Sequence, residues 1–158
     1  MNTTLKYGLI LGLLCSAWTY VMGFTGWYID PVMMNMFYAV ILFEIIILYF
    51  ALKETASTKT YGGQVVNGLL VSVYGGIIIF VSSMIFTSVV FPNYFNDLNA
   101  AYSEMLRNEG LSEEAVTTAM QAMAPMQTSM MQAVMGFVGT VGTALVASLI
   151  IAIFQRKQ

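Results

Sequence analysis

The stretch PVMMNMFYAVILFEIIILYFAL, residues 31–52, carries one acid, Glu44, in an otherwise uncharged apolar run. As a helix rising about 1.5 Å per residue, it is long enough to cross a hydrocarbon core of roughly 30 Å. A carboxyl at that depth is costly, about 2.5–3.5 kcal/mol for an aspartate on insertion scales. A side chain placed there is expected to face the interior of a bundle, a cavity or a partner, and not lipid.

Working outward, the whole chain reads the same way. It has 158 residues, 58% of them hydrophobic and 9% charged, against about 25% charged in a soluble domain. Four segments are long enough to span: Leu5–Phe24, Val32–Leu52, Gln64–Phe91 and Gln127–Phe154. The last two are about 28 residues each, roughly 42 Å, and are expected to tilt or protrude beyond the headgroups. Pro92–Met126 lies between them as the one sizeable region outside the membrane. It reads as two short helices broken at Asn108-Glu109-Gly110, with Gly110 as a C-terminal cap and Ser112 as an N-terminal cap ahead of Glu113 and Glu114. The expected fold is therefore all-α: a polytopic membrane protein, one domain over residues 1–158, with a four-transmembrane-helix bundle and a small extracytoplasmic helical hairpin at 92–126. The first segment also has a small-residue stretch at Cys15-Ser16-Ala17 that resembles a signal-peptide cleavage site. Because hydrophobicity continues through Trp18, Tyr20, Val21 and Met22, it is read as a retained span.

Orientation follows from the cations. Lys6, Lys53, Lys59, Arg156 and Lys157 fall on one side of four spans, and Arg107 alone on the other. The positive-inside rule predicts a multi-pass protein of the cytoplasmic (inner) membrane with both termini cytoplasmic. The lipid bilayer is the expected partner. A net charge of −2 without a basic run gives no footprint for nucleic acid.

Small residues recur at four-residue spacing, which places them along one helix face. Gly8, Gly12 and Ser16 do so in the first span, Gly68, Ser72 and Gly76 in the third. The fourth has two rows, Gly136-Thr140-Ala144-Ser148 and Gly139-Thr143-Ala147. Apolar burial gains little between helices in lipid, so small residues that let backbones approach supply much of the attraction. These ridges predict close packing, within the chain or between subunits. They also bear on Glu44, which stands nine residues before Lys53, about 13–14 Å from the inner boundary. Equal counts inward from Lys6, Gly63 and Arg156 reach Cys15, Ser72 and Ala147. Glu44 is accordingly expected to point inward, uncharged, and to hydrogen-bond Ser16, Ser72 or Ser148 as an intramembrane polar site.

Much chemistry is absent. The chain has no His and one Cys, so no catalytic dyad or triad with imidazole, no disulfide within the chain and no Cys-pair metal site can form. There is no Walker or Rossmann loop, and the outer acids read as helix caps and solvated charge. No enzyme activity, cofactor or resident metal is expected. The alternative concerns thioether sulfur, a soft ligand suited to Cu(I). The spacing of Met120, Met123, Met126 and Met130 would align four sulfurs if one helix passed Pro125; the other reading of these methionines is apolar gap filling.

Several elements together carry a family likeness: Leu5-Lys6-Tyr7-Gly8-Leu9-Ile10, then Tyr61-Gly62-Gly63 before Asn67-Gly68-Leu69, then Phe91-Pro92-Asn93-Tyr94-Phe95, and finally Gly142 with Ala147-Ser148-Leu149-Ile150 and a basic tail. The layout resembles the bacterial membrane family catalogued as domain of unknown function 4199. The resemblance covers nearly the whole chain and implies a four-helix cytoplasmic-membrane protein with a basic residue after its second span, as Lys53 is here. The outer segment departs from it in being poorer in Lys and richer in Met and Ala. No activity comes with the likeness. The function expected is non-enzymatic, acting by helix packing as a homo-oligomer or as an accessory subunit of a membrane complex. The alternatives are a small proton or cation channel or transporter using Glu44, and Cu(I) handling by the methionines.

Overall fold

A computed structural model describes residues 2–157, and every element in it is helical. Helix α1 runs Thr3–Thr25, started by the Asn2 side chain, which accepts from the Thr4 amide. It ends at Gly26, where φ is +73°, with the Gly26 amide on the Gly23 carbonyl and the Trp27 amide on Met22. This left-handed closing turn satisfies carbonyls that the helix leaves open, and glycine adopts it without a Cβ clash.

The second span is composite. Met33–Tyr38 forms a 3-10 turn and only Ala39–Glu54 (α2) is α-helical. The Asp30 carboxylate accepts from the Val32 and Met33 amides, both at 2.9 Å, and the Trp18 indole donates to the Met36 carbonyl at 2.9 Å. These local partners satisfy the entry backbone in a tighter winding. Helix α3 starts at Tyr61, three residues before the expected boundary, with Thr60 as its cap, and runs to Ile85. A π turn, Phe86–Val90, continues it towards the helical hairpin. The hairpin consists of α4 (Tyr94–Asn108) and α5 (Glu113–Met123). Gly110, at φ +88°, closes α4 as expected, and the Ser112 hydroxyl accepts from Ala115. After a 3-10 turn at Ala124–Met126, α6 runs Ser129–Phe154 from its Thr128 cap.

Four helical stretches, Thr3–Thr25, Met33–Glu54, Tyr61–Val90 and Ser129–Phe154, are long and apolar enough to cross a membrane. The central element is α3, which packs mainly against α6 and α1, while α2 fills the remaining side against α1 and α6. The core is Leu11, Cys15, Ile47, Leu48, Ala51, Leu52, Val71, Ala144, Ala147 and Ala152. Large apolar side chains cover the outside, among them Leu13, Leu42, Ile77, Val146 and Ile153. That much exposed hydrocarbon is unfavourable in water and suits a lipid surround.

At the hairpin end Tyr20, Phe24, Tyr28, Phe86, Phe91, Tyr94 and Phe95 form a continuous aromatic cluster that ties α1, the π turn and α4 together. The Tyr28 hydroxyl donates to Asp97 at 3.0 Å. Burial first, and the bond to Asp97 second, push the Tyr28 phenol up to about 12. Because the folded value lies above the ordinary one near 10, this contribution is complete below about pH 10 and is lost as pH rises towards 12. Spectrophotometric titration of tyrosinate should therefore show a late-ionising phase that shrinks in Tyr28→Phe, the remainder belonging to Tyr94, which burial also pushes up to about 12. That variant keeps the ring stack and should lose no more than about 1 kcal/mol at neutral pH.

Candidate functional site

The buried face of α2 is Glu44, Ile47, Leu48, Ala51 and Leu52, one helical stripe with the carboxyl at its N-terminal end. Glu44 is 4% exposed and points into the bundle. Its register is set by two contacts of the antiparallel α1–α2 pair. Tyr7 donates to Glu54 at 2.9 Å, and Trp18 meets Phe43 edge-on with ring centroids 5.6 Å apart. Glu44 is therefore opposite the turn of α1 that holds Cys15, Ser16 and Ala17, and the Cys15 thiol is within electrostatic reach of the carboxyl.

The expected hydrogen bond to a serine does not form. The buried Oε1 of Glu44 has no partner among the described residues, and neither do the hydroxyls of Ser16 and Ser148. Ser72 donates instead to the Leu69 carbonyl of its own helix, at 2.8 Å. Ser148 sits in the space above Gly68, which also touches Leu52, and Leu52 lies eight residues from Glu44, about 12 Å along α2. Counting equal depths from each inner boundary fails for α3 because that helix begins at Tyr61 and not at Gln64; α6 ends at Phe154 as expected, and its Ser148 lies beside Gly68, near the start of α3. Of the three serines, the structure brings only Ser16 to the level of Glu44.

The glycines divide into two groups. A Cβ on Gly8 would fall 2.6 Å from the Tyr74 Cβ and 2.9 Å from the Val71 carbonyl. One on Gly12 would fall 2.8 Å from the Gly75 carbonyl. Gly68 makes room for Ser148, and Gly76 for the Phe137 ring, whose edge would lie 2.8 Å away. By contrast Gly136 has ordinary contact with Ile79 at 3.4 Å, and Gly139 and Gly142 have nothing within 4 Å. The first two α6 glycines were read as packing positions; within this chain Gly136 is loosely covered and Gly139 is not covered at all. The 3.6-residue turn explains it: with Ala144, Ala147 and Ser148 facing inward, Gly139 and Gly142 fall on the outer side of α6.

Sequence reading missed a second polar site at the end opposite the hairpin. Gln64 and Asn67 of α3 are 0% and 1% exposed. The Gln64 amide nitrogen donates to the Leu52 carbonyl at 2.7 Å and to the Gln155 carbonyl at 2.6 Å, while its oxygen accepts from Thr55 at 2.7 Å. Asn67 donates to the Thr55 hydroxyl at 3.1 Å and accepts from Thr4 at 2.6 Å. Two amides thus bind α1, α2, α3 and the end of α6 into one clamp. A half-exposed cluster surrounds it: Thr3, Lys6 and Tyr7 all reach Glu54, and the Lys157 amide donates to the Lys59 carbonyl at 2.8 Å. The spacing of Gln64 and Asn67, three residues apart on one face, was the signal available in the sequence.

The methionines do not form one row. Met120 and Met123 belong to α5, Met126 to the 3-10 turn containing Pro125, and Met130 to α6 after extended backbone at Thr128. Proline removes a helical hydrogen bond and ends α5 before the row is complete.

A family model described as "Protein of unknown function (DUF4199)" matches residues 6–157. Nothing among the curated proteins or the solved structures matches.

Proposed function

We propose, for a chain that belongs to the DUF4199 family of unknown function, a non-enzymatic role as a membrane-embedded packing subunit. It would act as a homo-oligomer or as an accessory subunit, in a cytoplasmic membrane with both termini inside. The observation that supports this is the outward face of α6. Gly139 and Gly142 leave a shallow notch there, bordered by exposed Met135, Val138 and Val146, while six glycines elsewhere, Gly8, Gly12, Gly23, Gly68, Gly75 and Gly76, are closed by neighbouring groups. In lipid such a notch lets another helix approach closely. The test is proximity crosslinking in native membranes. In a Cys15→Ser background, Gly142→Cys with a short bis-maleimide should give a band at twice the monomer mass or at a defined heavier mass, and Ile77→Cys on α3 should not. A monomer from both variants would sink the reading.

A second reading, a small proton or cation path through Glu44, is favoured by one observation, the partnerless carboxyl oxygen at mid-span. Its test is flux in proteoliposomes, present in the native chain and lost in Glu44→Gln.

A further inference from the structure

We infer that the corner where α6 ends and α3 begins is a seat for the phosphate of an anionic membrane phospholipid, held by Lys59, Arg156 and Lys157. This goes beyond the packing reading and does not depend on which helix meets the notch of α6.

The corner is assembled by backbone and ring contacts. The Lys157 amide donates to the Lys59 carbonyl at 2.8 Å, which ties the tail of α6 to the loop before α3. The Arg156 guanidinium stands over the Tyr61 ring, 5.8 Å from its centroid, and the Tyr61 hydroxyl donates to the Leu149 carbonyl at 3.2 Å. The base of the Lys59 side chain lies against Gly63, its Cβ 3.5 Å from where a Cβ would stand there. Three cations from two segments far apart in sequence are thus brought to one place.

No carboxylate offsets them. Among the described residues the ion pairs are Lys6–Glu54 and Arg107–Glu113. Glu54, the one acid at this end of the bundle, already accepts from Thr3, Lys6 and Tyr7. Like charges gathered at one corner repel, and a counter-anion relieves the repulsion. The helix macrodipole accounts for only part of the arrangement. The carbonyl end of α6 attracts Arg156 and Lys157, but Lys59 precedes the amino end of α3, where that field disfavours a cation. Lys53 lies apart, over the Tyr49 ring on the face of α2 turned away from its buried stripe.

Depth identifies the anion. Tyr61 and Phe154 are end residues of two of the spanning stretches. Lys59 stands two residues before the first, Arg156 and Lys157 two and three after the second. That is the headgroup level of a bilayer, where lipid phosphodiester is the anion at hand and basic side chains attract it. Arginine offers a planar fork to two phosphate oxygens and the lysines add point charges. Exposed Leu149, Ile153 and Phe154 continue along α6 towards mid-bilayer as an apolar wall for acyl chains.

The test is native mass spectrometry of the full chain in gentle detergent, titrated with phosphatidylglycerol or with phosphatidylcholine of the same acyl chains. Phosphatidylglycerol should bind more tightly, by about fivefold for each cation it engages, and salt should weaken it more than phosphatidylcholine. Lys59→Gln, Arg156→Gln and Lys157→Gln should each cost about fivefold in phosphatidylglycerol affinity, and the three together should bring it to the phosphatidylcholine level. Lys53→Gln should change nothing. Equal affinity of the native chain for the two lipids would overturn the site. A loss in Lys53→Gln matching that in Arg156→Gln would also overturn it, since diffuse surface charge would then suffice. Displacement of the lipid by millimolar glycerol phosphate would mark a site for free phosphate and overturn the lipid assignment. The lipid and salt comparisons use the native chain, so they decide the matter even if the triple variant fails to fold.

Discussion

Gly12→Leu should be among the most damaging single substitutions in this chain, because it separates α1 from α3. A Cβ at that position lies 2.7 Å from the Ile78 Cβ and 2.8 Å from the Gly75 carbonyl oxygen. A flexible side chain could rotate aside, but a backbone carbonyl inside a helix cannot. The remaining leucine atoms then demand further room, so the axes must move apart. Inward of this contact, the same crossing holds Gly8 against the Val71 carbonyl, and beyond it Thr4 is bonded to Asn67. A shift at Gly12 therefore strains the clamp as well. Overpacking a well-filled interior typically costs about 1–3 kcal/mol and occasionally more. The backbone contact places Gly12→Leu at or above the upper end, with Gly12→Ala lower. Denaturation of the detergent-solubilised protein by rising SDS, followed by circular dichroism, measures this directly. Gly142→Leu is the matched control: with nothing within 4 Å, it should leave the monomer's midpoint unchanged. If Gly12→Leu unfolds at the native midpoint, the close crossing of α1 and α3 is wrong.

The glycine contrast also indicates which features were legible in the sequence. Spacing at four residues finds small-residue ridges, and it found those closed by a neighbour at Gly8, Gly12, Gly68 and Gly76. It cannot tell which of two ridges on α6 turns inward, because an evenly apolar helix carries no amphipathic bias to orient it. The four spans were legible because lipid demands long uncharged runs, and their sum is visible without any tertiary information. Their depths relative to one another were not. Depth depends on where each helix crosses its neighbours, and Ser148 proved to be above Gly68, far from Glu44. The winding of Met33–Tyr38 escaped for a similar reason, since Asp30 and the Trp18 indole decide it from outside the segment. At Glu44, burial was readable from the cost of a charge in hydrocarbon. Its lack of a serine partner was not, because a depth count says nothing of the helix face on which Ser16, Ser72 and Ser148 stand. Gln64 and Asn67 were missed because amides near a helix start resemble ordinary interfacial polarity.

The clamp makes a prediction of its own. Gln64→Leu should destabilise the bundle by about 2–3 kcal/mol, with the loss concentrated at the end where α6 finishes. The leucine fills a similar volume, so the cost is polar. The Gln155 carbonyl loses the donor at 2.6 Å. The Leu52 carbonyl retains its bond from the Thr55 amide at 3.2 Å, and the Thr55 hydroxyl can turn to the Ala51 carbonyl, also at 3.2 Å. These remaining contacts keep the cost below the sum of three broken bonds, in line with the modest values found for hydrogen bonds between membrane helices. Asn67→Leu should cost a comparable amount, through the buried Thr4 hydroxyl left without its acceptor. Because both amides meet at one Thr55 oxygen, their effects should not add: a double-mutant cycle should give a coupling of about 0.5–3 kcal/mol, as for residues within one network. Gln64→Glu separates geometry from charge. It keeps the acceptor for Thr55 but turns an oxygen towards the Leu52 and Gln155 carbonyls, so it should be worse than Gln64→Leu at neutral pH. Acid restores one O–H donor, and this variant alone should gain stability as pH falls. Amide exchange near Gln155 is the local readout, with faster exchange expected in Gln64→Leu than in Tyr28→Phe. Equal exchange in the two, or strict additivity of Gln64→Leu and Asn67→Leu, would mean that the four helix ends are held by packing and that the two amides are incidental to it.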